Sequence, residues 1–158
     1  DTGWVGSGQE QGVGAGNGEG GGVSDRIRPD LVIMGGDMVR GKTTCDACPA
    51  RHLVERLAAR YPVYYGNGNT ETRMERRADR YGDAYRRYLQ AILRAGVIYL
   101  SDSTAVDGDL AITGIDLDKK YYENFRTQTL RSRDVERKAG PTDQERFQIL
   151  LAHSPLRL

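Results

Sequence analysis

Cysteine is scarce in this chain, neither sign of charge is in excess, and long apolar runs are missing. Two cysteines in 158 residues, Cys45 and Cys48, are too few for a disulfide framework, and their close spacing fixes no compartment. With 23 Lys+Arg against 22 Asp+Glu the net charge is +1, so composition supplies no global attraction to nucleic acid or to an anionic membrane. Any recognition of phosphate must be local. No apolar run approaches the roughly 20 residues that cross a bilayer, and no basic, apolar, small-residue leader opens the sequence. The sequence starts at Asp1 without an initiator Met, which leaves a leader or membrane anchor upstream open. Localisation therefore reads as cytoplasmic or membrane-associated.

What is present divides into two parts. Residues 1–23 carry ten of the 20 glycines and almost no large apolar side chain. Little there can offset the entropy of ordering, so the stretch reads as loop or disordered. Residues 24–158 read as one domain. The apolar run from Asp30 to Gly36 is a buried strand that delivers Asp37 to a loop. Pro49 suits a first helical turn, and Leu53, Val54, Leu57 and Ala58 continue at helical spacing. Pro62 to Tyr65 is a second strand, closed by Gly66-Asn67-Gly68-Asn69. A single long helix is expected from about Thr72 to Ala95, with Met74, Ala78, Tyr81, Tyr85, Leu89 and Ile92 on one face and Gly96 stopping it. Val97 to Leu100 is a third strand. Thr104 to Ile115, turning at Asp107-Gly108, is a strand pair. Residues 118–146 are highly charged and resist assignment. Phe147 to Ala152 is expected as a buried strand presenting His153.

Strands alternating with helices imply an α/β layered fold, in which polar residues just past the strand ends line the site. Here these are Asp37, Asn67, Asn69, Asp116 and His153. Acid, amide and imidazole are oxygen and nitrogen donors suited to Mn²⁺, Zn²⁺ or Fe. The bland reading is that such groups merely cap loops.

Four other motifs compete. Gly36-Asp37-Met38-Val39-Arg40-Gly41-Lys42-Thr43 fits a phosphate-binding loop after a strand. Against it, Asp37 would set a carboxylate beside the phosphates, and Pro49 interrupts the helix that should begin near Lys42. Gly16-x-Gly18-x-x-Gly21 matches a dinucleotide fingerprint with no preceding strand, as a glycine-rich tract will by chance. Cys45-x-x-Cys48 with His52 lacks the fourth ligand of a closed zinc site. Tyr81, Tyr85 and Tyr88 among arginines could stack on bases, but at helical spacing they read as a packed face, and no nucleic acid is expected as a partner.

Three strings resemble successive motifs of the calcineurin-like metallophosphoesterases, in that family's order: Pro29 to Val39 with its Gly36-Asp37, then Gly66-Asn67-Gly68-Asn69-Thr70-Glu71, then Ile149 to Pro155 with His153. Gly96 to Leu100, Ile112 to Asp116 and Tyr121-Tyr122 are similar to one bacterial branch. The resemblance runs through almost the whole chain from Pro29 and implies a layered sandwich of mixed β-sheet flanked by helices, here partial. It implies a metal-activated water attacking a small-molecule phosphomonoester or phosphodiester, with two divalent ions, Mn, Zn or Fe. By position Asp1 would bind the first metal, Asp37 would bridge both, and Asn69 and His153 would bind the second. Asn67 and Glu71 would shape the loop. Departures are equally plain. Gly3 stands where a metal-binding His belongs, Thr70 replaces the His that assists the transferring phosphoryl group, and the closing Gly-His-x-His is not present. On this count one metal is retained, and the alternative is a non-catalytic metal- or phosphate-binding module of the same fold.

Overall fold

The structure, a computed structural model, describes residues 27–40, 48–117, 132–141 and 143–153. Asp1, Gly3, the glycine-rich segment 1–23, Lys42, Thr43, Cys45, Tyr121 and Tyr122 lie outside the described residues, as does the side chain of Cys48.

The first sheet is built from short apolar strands, each followed by a polar loop. Strands β1 (Val32–Met34), β2 (Val63–Gly66) and β3 (Ile98–Leu100) run in the order β1-β2-β3, all parallel, with Val32 opposite Val63 and Tyr65 opposite Tyr99. Parallel neighbours require crossovers, and helices supply them. Helix α1 (Cys48–Ala58) joins β1 to β2, with Pro49 in its first turn as expected. Between β2 and β3 the chain forms α2 (Asn69–Arg76), α3 (Ala78–Tyr81) and α4 (Ala84–Arg94).

This corrects the single helix expected over 72–95. The backbone leaves helical geometry at Arg77 (φ −115°, ψ 47°) and again at Gly82 (φ 61°, ψ −146°). Met74, Tyr81, Tyr85, Tyr88 and Ile92 still all reach the core, while Ala78 is exposed and Leu89 only half-buried. The spacing thus persists across two breaks that re-aim the helices. At the far end Gly96 does stop the helix: Val97 N–H bonds Ile92 O and Gly96 N–H bonds Leu93 O, closing the last turn.

The second sheet is mixed. Strands β4 (Ser103–Asp107) and β5 (Leu110–Gly114) form the expected hairpin around Gly108, and β6 (Phe147–Leu151) lies parallel to β5 with Gly114 opposite Leu151. Helix α5 (Ser132–Ala139) falls in the segment that resisted assignment. The description of 147–152 as a buried strand needs correction as well. Strand β6 is at the sheet edge, with Phe147 73 % and Leu150 45 % exposed. Gln148 and Leu150 point away from the first sheet, while Ile149 joins the core.

The layers follow from which faces are apolar. Strand β2 is buried on both sides, which explains its unbroken Val63-Tyr64-Tyr65: Val63 and Tyr65 pack under the helices with Val54, Leu57, Met74 and Ile92, while Tyr64 packs with Leu100 and Ile112 between the sheets. Helix α5 covers Ile115 and Leu117 through Val135 and Ala139. The result is an α/β structure with helices over a parallel sheet, a mixed sheet behind it, and α5 at the rear. Among the described residues no helix is long and apolar enough to cross a membrane.

The sheets touch most closely where Gly114 meets Leu100. A Cβ at position 114 would lie 2.4 Å from Leu100 Cβ and 2.8 Å from Leu100 O. Gly114→Ala should therefore cost about 1–3 kcal/mol in urea-induced unfolding, through forced separation of the sheets. An unchanged midpoint would show that the contact is slack.

Candidate functional site

All five parallel strands, β1, β2, β3, β5 and β6, send their carboxyl ends to the same edge. The residues that follow them meet there. After β1 the chain turns through Gly35 and Gly36 into Asp37, whose φ of 55° is a left-handed conformation uncommon for a residue with a side chain. The group that holds it there is Glu71, 0 % exposed, at the third position of α2. Its Oε2 accepts the N–H of Asp37 at 2.8 Å and of Gly68 at 3.1 Å. Its Oε1 accepts the N–H of Met38 at 2.7 Å and of Val39 at 3.3 Å, and the hydroxyl of Tyr65 at 3.0 Å. One carboxylate therefore gathers the loop after β1, the loop after β2 and a residue of β2 itself. Its bond to Gly68 N–H satisfies the backbone N–H of the N-cap at the start of α2.

Asp37 is placed by the same loops. Its Oδ1 accepts Thr70 N–H at 2.9 Å, and its Oδ2 lies 3.2 Å from His153 Nε2. The approach of the two loops is so close that a Cβ on Gly68 would lie 2.3 Å from Asp37 Oδ1. Only glycine fits there. His153, reached from β6, sets its Nδ1 2.6 Å from Gly35 O. A carbonyl can only accept, so Nδ1 carries a proton and Nε2 is the atom turned to Asp37.

Asn67, after β2, is buried and its side chain bridges two phenols: Oδ1 accepts the Tyr85 hydroxyl and Nδ2 donates to the Tyr99 hydroxyl. It ties the loop to α4 and β3. Burial pushes the Tyr85 phenol well above its ordinary range, raises that of Tyr99, and lifts Tyr88 to about 12. The Tyr85 and Tyr99 phenols stay neutral and hydrogen-bond Asn67. After β5, Asp116 Oδ2 accepts the Ser101 hydroxyl at 2.6 Å, and Asp116 N–H donates to Asp102 Oδ1 at 2.9 Å. Asp102 in turn receives Lys138 of α5 at 2.7 Å.

Of the residues expected from sequence, Asp37 and His153 meet, 116 positions apart in the chain. Asn69 opens α2, exposed, next to Thr70. Thr70 lies against Asp37 through its backbone N–H. Asp1 is outside the described residues. Ser101 was overlooked, although it directly follows β3, and the strand-end rule that singled out Asp116 applies to it equally. Among the described residues no three of His, Cys, Asp and Glu converge as a metal-binding group. A cation on Asp37 and His153 would need the Asn69 amide as a third donor.

In comparison with known proteins, no family model, no curated protein and no solved structure matches the chain.

Two outcomes follow from these contacts. Glu71→Gln presents an NH₂ to backbone donors and should lower stability by about 2 kcal/mol in chemical denaturation; equal stability would mean that the five contacts are not formed together. The second concerns Asp116, whose carboxyl is raised from 3.8, chiefly by burial and also by Asp102, against the opposing effects of Ser101, Lys138 and Arg76. A raised folded-state value stabilises below pH about 4 and is lost as pH climbs through the folded value. Asp116→Asn cannot ionise, so its stability relative to the parent should rise with pH from about 4 upward. A difference independent of pH would contradict the assignment.

Proposed function

We propose that the chain is a metal-dependent phosphoesterase of the calcineurin-like type, acting on a small-molecule phosphomonoester or phosphodiester. The observation that carries this reading is the meeting of Asp37 and His153 beside the first turn of α2, assembled from three segments far apart in sequence. The donor set suits one divalent cation, Mn, Zn or Fe: a carboxylate oxygen and an imidazole nitrogen 3.2 Å apart, with an amide on the neighbouring turn. The bond from His153 Nδ1 to Gly35 O fixes the ring and directs Nε2 inward, as the outer partner of a metal-ligating His does. When bound, the metal would lower the pKa of a coordinated water and supply hydroxide for in-line attack on phosphorus.

The chain's own residues define the rest. Asp37 offers Oδ2, Asn69 contributes a neutral amide that does not repel phosphate, and Glu71 holds both loops in place. Thr70 stands where the family has a His, and its hydroxyl is a poor proton donor. General acid catalysis contributes about 10²–10⁴-fold, so turnover is expected to be slow. Asp1, the ligand the resemblance gives to a first metal, lies outside the described residues, and the reading rests on the second site alone.

One specific observation favours a second reading, a non-catalytic module of the same fold: Thr70 already spends its N–H on Asp37 and brings no acid of its own. The nucleotide-loop reading of Gly36 to Thr43 has the opposite difficulty. The N–H groups of Asp37, Met38 and Val39, which would have to cradle phosphate, are taken by Glu71.

Turnover of bis(p-nitrophenyl) phosphate should require added Mn²⁺ and should vanish in Asp37→Ala. Thr70→His, which restores the family's residue, should raise it by about 10²-fold. Turnover that survives in Asp37→Ala overturns the reading, and bound Mn²⁺ with no turnover in either protein favours the module.

A further inference from the structure

Helix α2 lies along the carboxyl edge of the strands. Its first turn is pinned at β1 and β2 by Thr70 and Glu71. Its last turn reaches the ends of β3 and β5, where Glu75 acts electrostatically on Tyr99 and Arg76 acts on Asp116. Asn69, Arg73 and Arg76 are spaced by four and then three residues and so share one face, while Glu71 and Met74 fill the buried side. Both arginines are exposed, and among the described residues neither forms an ion pair. Nearby Arg77 and Arg87 are instead matched by Asp79 and Asp83. Two guanidinium groups without an ion pair among the described residues thus share the face of α2 that Asn69 opens, with Arg76 near Asp116. Their planar forks suit bidentate contact with phosphate oxygens.

We infer that Arg73 and Arg76 form a second anion subsite, and that the preferred ligand is a phosphate ester whose alcohol portion carries a further phosphate. With a rise of about 1.5 Å per residue, Arg73 and Arg76 lie about 6 and 10 Å along the helix from Asn69. That spacing fits a bisphosphate of a short diol, with one phosphate at Asp37–His153 and the other on the arginines. The identity of the first phosphate as the one cleaved rests on the phosphoesterase reading; the arginine subsite itself does not.

Calorimetric titration of the chain with Mn²⁺ present, using inorganic phosphate and propane-1,3-diol bisphosphate, tests the inference. The bisphosphate should bind about tenfold more tightly, and Arg73→Gln/Arg76→Gln should abolish that advantage while Arg73→Lys/Arg76→Lys keeps part of it. Because both side chains are exposed, the melting temperature should not move. Equal affinity for the two probes, binding of neither, or an advantage that persists in the glutamine variant each overturns the inference. An arginine-dependent preference in a protein with no ester turnover upholds the subsite and defeats the phosphoesterase reading. Asp37-dependent turnover without the preference does the reverse.

Discussion

A single buried carboxylate, that of Glu71, sets the position of everything at the carboxyl edge. Removing such a charge from water is costly unless donors replace the solvent. Here four backbone N–H groups and a tyrosine hydroxyl do so. The arrangement cuts both ways. The donors make the carboxylate tolerable, and the carboxylate satisfies N–H groups that the left-handed turn at Asp37 would otherwise orphan. Two loops from different strands are thereby fastened to one helix, with Asp37 between them.

The second constraint is register. Residues two apart along a strand share a face, so the side of the sheet taken by Gly114 and Leu151 is taken again by Asp116 and His153 beyond them. That side faces the first sheet. His153 consequently arrives at Gly35 and Asp37, and Asp116 at Ser101. The closeness of the sheets depends on small residues at the crossing points, since Gly66 abuts Leu151 and Gly114 abuts Leu100. Acid and imidazole then line the floor of the edge, with Arg73 and Arg76 exposed on the helix α2 that starts beside them.

Much of this was legible in the residues. The apolar runs of β1, β2 and β3 end in polar loops, and the hairpin announces itself at Asp107-Gly108. Asp37 and His153 stand out, together with Asn67, Asn69 and Asp116, because each follows an apolar run that reads as a strand. Glu71 was recognised as shaping its loop, but the number of its partners was not, since a buried carboxylate looks like any helical glutamate until its donors are folded around it. The helix breaks at Arg77 and Gly82 were missed because the apolar spacing continues through them and an isolated Gly is tolerated in a helix. Phe147 to Leu151 reads as a buried strand because four of its five residues are apolar, a pattern that cannot distinguish an edge strand from a central one. Helix α5 is hidden by charge, for Val135 and Ala139 are the only apolar residues among its eight.

The central claim is that Asp37 and His153 can close on one divalent cation with Asn69 beside them. Anomalous scattering from a crystal equilibrated with Mn²⁺ addresses it without reference to activity. The account predicts a single strong peak within about 2.2 Å of both Asp37 Oδ2 and His153 Nε2. A peak elsewhere, or side chains of Asp37 and His153 turned to separate regions with no metal between them, would contradict it.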